Sequence, residues 1–77
     1  MATYYVYIKP EPGKKLRTLL ENSQEDHLRV KRVMQELDGI GEIDRGTNRQ
    51  MILTKPEFRL VANLVKENDL KVELVSL

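Results

Sequence analysis

The sequence contains no cysteine and no tryptophan, one histidine (His27) and one phenylalanine (Phe58). Without thiols no disulfide can staple the chain, and one imidazole cannot build a tetrahedral zinc site, which needs about four Cys or His ligands. Long apolar runs are missing as well, since no stretch approaches the roughly 20 apolar residues of a membrane-spanning helix. The start, Met1-Ala2-Thr3-Tyr4-Tyr5, lacks the basic flank and apolar run of a secretory signal. These absences lead to the expectation of a cytoplasmic, unanchored protein without metal or cofactor. A strong charge of either sign is absent too. Thirteen Lys and Arg stand against twelve Asp and Glu, a formal net charge of +1, whereas nucleic-acid-binding domains usually show a marked basic excess.

What remains is apolar packing in a short chain. Seventy-seven residues suit a single domain, residues 1–77, because a chain split in two here would leave neither half a workable core. One core of this size supplies only roughly 3 to 5 kcal/mol of net stability, so a second subunit is a natural supplement and a homodimer is expected.

Periodicity divides the chain into elements. Thr3 to Lys9 is rich in aromatic and β-branched residues and reads as a strand. Alternation puts Tyr4, Val6 and Ile8 on one face and Thr3, Tyr5 and Tyr7 on the other. Pro10-Glu11-Pro12-Gly13 closes it and is read as a connection, with a helical pattern beginning at Lys14. Leu16, Leu19, Leu20, Ser23, His27, Val30, Met34 and Leu37 then fall in one stripe at 3.6-residue spacing. A single helix from Lys14 to Leu37 would be about 36 Å long and would overhang a strand of about 23 Å. A break is therefore expected near Asn22 and Ser23, where Ser23-Gln24-Glu25-Asp26 resembles a helix start.

Two short strands follow, Gly41 to Arg45 and Arg49 to Thr54, around a Gly46-Thr47-Asn48 loop. Met51 and Leu53 would face the core and Ile52 the opposite side. Thr54-Lys55-Pro56-Glu57 forms a capping-box pattern with proline in the first turn. Phe58, Val61, Ala62 and Val65 continue it as the apolar face of a helix reaching about Glu67. Leu70 to Leu77 alternates as a last strand. The order strand, helical region, strand, strand, helix, strand resembles the ferredoxin-like βαββαβ arrangement, an α+β two-layer sandwich with an antiparallel sheet and helices on one face.

Such a sheet leaves one face uncovered, and the second set of alternating residues describes it. Tyr5, Tyr7, Ile52 and Val75 would lie there, interleaved with Gln50, Lys71 and Glu73, as a contact face for a protein partner. Leu60 and Leu64, i and i+4 on the second long helix and away from the middle of its apolar face, form a second candidate ridge. The open-face aromatics also resemble the RNA recognition motif, which stacks bases on aromatics of its two central strands. Tyr5 and Tyr7 match on the first strand only; Arg49 to Thr54 holds no aromatic. The alternative reading, a nucleic-acid binder, rests on the basic cluster Lys9, Lys14, Lys15 and Arg17; Arg29, Lys31 and Arg32 form a second group of charges, of the kind that is usually a solvated face. Nucleic acid is the less favoured partner.

No catalytic constellation is legible. His27, in the helical stripe, reads as a partly buried, hydrogen-bonded structural residue. The carboxylates Glu42 and Asp44, or Glu36 and Asp38, have no companions that would tune an acid and a base apart. Pro12-Gly13-Lys14-Lys15 opens a helix as an anion site would, but without the full glycine-lysine-hydroxyl loop. The sequence therefore reads as a small, non-enzymatic, regulatory or inhibitor-type protein-binding module.

Overall fold

A computed structural model describes residues 3–25, 27–39 and 49–77. Their elements are β1 (Tyr4–Ile8), α1 (Pro10–Glu21), α2 (His27–Gly39), β2 (Arg49–Leu53), α3 (Lys55–Glu67) and β3 (Glu73–Ser76). The three strands form an antiparallel sheet in the order β2-β1-β3. The order among the described residues is thus β-α-α-β-α-β, which does not match the expected βαββαβ. Two things account for the difference. The first helical region is two helices, and the strand expected over residues 41–45, with its hairpin loop, lies outside the described residues.

The helix break falls near Asn22 and Ser23, as the length argument places it, but α2 begins at His27 and not at the Ser23 start pattern. Asn22 ends α1 as its C-cap, donating from both its backbone N–H (3.2 Å) and its side-chain Nδ2 (3.0 Å) to the Thr18 carbonyl. Ser23 Oγ then accepts the Glu25 N–H at 3.1 Å, a local turn that competes with helix continuation. The start of α1 differs from expectation, because the two prolines are inside the helix. Pro10 and Pro12 occupy the first turn, whose N–H groups have no partner within the helix, so their missing donors cost nothing. Gly13 donates the first helical bond, to the Lys9 carbonyl at 2.9 Å.

The core lies between the helices and one face of the sheet. Val6, Ile8, Met51 and Leu53 supply the sheet side; Leu16 and Leu20 of α1, Val30, Val33 and Leu37 of α2, and Leu60, Val61 and Val65 of α3 supply the helical side. Tyr4 shares the face of Val6 and packs on Phe58 with ring centroids 5.1 Å apart. Val33, absent from the stripe read across the whole helical region, is fully buried. The break resets the helical phase, so a stripe extrapolated from α1 misplaces residues in α2. His27 shows the same effect: it opens α2 in an exposed position and is not the partly buried residue that the stripe implied.

Both ends of α3 are satisfied locally. Glu57 turns inward, is 6% exposed, and its Oε1 accepts the Thr54 N–H at 3.0 Å, a cap of the kind worth about 1 kcal/mol. At the other end Asn68 donates its backbone N–H and Nδ2 to the Leu64 carbonyl. Asp69 takes a left-handed φ of 51° and Leu70 donates to the Val65 carbonyl at 3.0 Å. This is the Schellman termination, with aspartate where glycine is usual. The last strand is consequently shorter than expected and begins at Glu73, not Leu70.

Candidate protein-contact face

The pairing register brings the open-face residues into rows. Tyr5 lies opposite Ile52 on β2 and opposite Val75 on β3, so Ile52, Tyr5 and Val75 form an apolar row across all three strands. The next row is Gln50, Tyr7 and Glu73. Gln50 Nε2 donates to the Tyr7 hydroxyl at 2.8 Å, and the Tyr5 and Tyr7 rings stack with centroids 6.3 Å apart and planes 27° apart. On the other side of the apolar row, Thr3 and Leu77 exchange two backbone hydrogen bonds of 2.8 Å. Leu77 therefore lies on the open face as well, by strand alternation from Val75. It is 73% exposed and Ile52 is 50% exposed, while both tyrosines and Val75 are half-buried.

Tyr5, Tyr7 and Ile52 thus stand together on the face away from the helices. Leu77 belongs with them and was missed, although the alternation that found Val75 extends to it. Leu60 and Leu64 do not join them. Leu60 is 8% exposed and part of the core, and Leu64 is half-buried against that core. The three helices contact one another, so the flank of α3 that a lone amphipathic helix would expose is covered by a neighbour.

The basic cluster is partly dispersed. Lys9, Lys14 and Lys15 are exposed, but Arg17 is held inside the molecule's own charge network. Its Nε lies 3.2 Å from Glu21 Oε1 and its Nη1 donates to Asp38 Oδ1, tying α1 to α2. Beside Tyr7, a groove of about 710 Å³ carries Lys9, Lys15 and Lys71 against Glu11, Asp69 and Glu73, and so has no net preference for either sign. The start of α1 makes no anion site: Pro10 and Pro12 have no N–H, the Gly13 N–H is already bonded, and Glu11 stands in the same turn.

Glu36 is paired with Arg32 at 3.3 Å and Asp38 with Arg17. Glu42 and Asp44 lie outside the described residues. No described helix is long and apolar enough to cross a membrane. No protein-family model, no curated protein and no solved structure matches the chain.

Proposed function

We propose that this chain is a non-catalytic binding module that acts by occupying a protein, with the open sheet face as its contact surface and a second copy of the chain as its first occupant. The observation that carries the reading is the apolar row Ile52, Tyr5 and Val75, continued by Leu77, on a face that no described helix covers. Aromatic and aliphatic side chains without charge at the centre, ringed by polar groups such as Gln50, Glu73 and Thr3, have the composition of an interface core and rim.

Magnitude sets the strength to expect. Three strands of four or five residues span about 14 by 17 Å, a footprint of about 250 Å², small beside the roughly 800 Å² per partner of a standard interface. The association is accordingly weak, in the micromolar range or above. Sedimentation equilibrium at tens to hundreds of micromolar should return a mass that rises toward the dimer, and Tyr5→Ser with Ile52→Ser should hold the chain monomeric. A wild-type monomer throughout that range sinks the proposal of a second copy.

The same reading completes the fold as the ferredoxin-like arrangement, with residues 41–45 lying beside β2. Its support is the direction of the described strands: β2 and β3 run parallel to each other on either side of β1, connected through α3, as a split βαβ unit requires. Ile52 presents its N–H outward from β2, where Glu36 Oε1 accepts it at 3.4 Å. A bond of that length is weak, and a strand carbonyl would replace it.

A further inference from the structure

We propose that the groove between α3 and the α1–α2 turn, where Lys55 and Arg59 stand exposed, binds the phosphate backbone of a nucleic acid, independently of the open sheet face. Along the sequence Glu57 falls between Lys55 and Arg59 and offsets one of the two cations. Folding takes that carboxylate out of the surface. Glu57 is turned inward to accept the Thr54 N–H and is 6% exposed, whereas Lys55 and Arg59 remain at the surface. Among the described residues no carboxylate lies within ion-pair distance of Lys55 or Arg59. Capping α3 thus uncovers two cations one helical turn apart, about 6 Å along the axis.

The groove these cations line has a volume of about 700 Å³, and Arg29, which has an interaction of its own, lines it from α2. Ser23, Gln24 and Asn63 add neutral hydrogen-bonding groups, and two carboxylates, Glu25 of the α1–α2 turn and Glu67 at the end of α3, also line it. Its apolar lining is Leu60, which is buried, Leu64, which is half-buried, and Pro56. A protein partner is held mainly by apolar or aromatic anchors in a desolvated pocket, and this groove offers no exposed aromatic. A phosphate chain needs only cations and donors at the surface, and gains its affinity by releasing counterions. With no stacking platform, recognition is of the backbone and not of sequence.

Fluorescence anisotropy of a labelled mixed-sequence single strand and of its duplex, titrated with the full chain across a salt series, tests this directly. Binding is expected at low salt, with log K falling linearly against log salt. Lys55→Gln with Arg59→Gln should flatten the duplex slope by about 2, and Arg59→Gln alone by about 1. Both positions are exposed, and circular dichroism checks that each variant is folded. Lys14→Gln with Lys15→Gln, on α1, should leave the slope unchanged, and polyglutamate should compete poorly. The single strand and the duplex distinguish which form the groove accepts. No anisotropy change with either at low salt, an unaltered slope in both groove variants, a loss of slope in the α1 variant instead, or competition by polyglutamate as strong as by nucleic acid would each overturn the proposal.

Discussion

Two residues sit in each other's preferred environments. Gly13 lies within α1, where glycine costs roughly 0.5 to 1 kcal/mol relative to alanine through lost chain entropy. A methyl group there would meet Leu37 Cδ1 at 3.9 Å, an ordinary van der Waals contact. Asp69 has the opposite situation, a side chain at φ 51° where glycine carries no penalty. Gly13→Ala and Asp69→Gly should therefore each raise the free energy of unfolding by about 0.5 to 1 kcal/mol in urea denaturation. A loss in either case would show that the local backbone account is wrong at that position. The first exchange was hidden in the sequence because Pro10 and Pro12 made the segment read as a loop; only the hydrogen bond from Gly13 to Lys9 places it in a helix.

At the scale of the element, β1 has two faces with different work. Val6 and Ile8 are 0% and 1% exposed beneath the helices, while Tyr5 and Tyr7 are half-buried on the open face. Val6→Ala or Ile8→Ala should cost on the order of 1 to 4 kcal/mol through lost burial and a cavity. Tyr5→Ser with Tyr7→Ser should leave the chain folded, with smaller losses from the stacked pair and the Gln50 bond. Thermal unfolding monitored by circular dichroism separates the two sets, and a tyrosine pair that unfolds the domain as the core changes do would remove the open-face assignment. Both faces of β1 are legible in the sequence, because period-two alternation is a property of the strand alone. Periodicity served the helices less well. Leu60 reads as off-face on α3 taken alone, and what buries it is its place in the packed helical layer.

Across the whole molecule, the four-stranded arrangement is tested at the β2 edge of the sheet. In an antiparallel pair, alternate residues point their N–H groups away from the neighbour, so Gln50 shares the outward direction of Ile52. If residues 41–45 pair there, the Ile52 amide should stay protected from hydrogen exchange in a Glu36→Ala variant. Exchange at the rate of an unstructured peptide, once the carboxylate is gone, would mean that Glu36 was the only cover and that the four-stranded arrangement is wrong.

The sequence by itself determined the strand faces, the break after Asn22, the cap at Thr54 and Glu57, and the direction in which Met51, Ile52 and Leu53 point. Each depends on neighbours within a few residues, through alternation, helical period or side-chain bonds to the adjacent backbone. Only the tertiary structure decided that Leu60 is core, that His27 is exposed, that Arg17 is held between Glu21 and Asp38, and that Lys55 and Arg59 stand without a carboxylate among the described residues. Those outcomes depend on which elements pack together and on which charges meet when they do. Such contacts join residues as far apart as Arg17 and Asp38, and no local pattern encodes them.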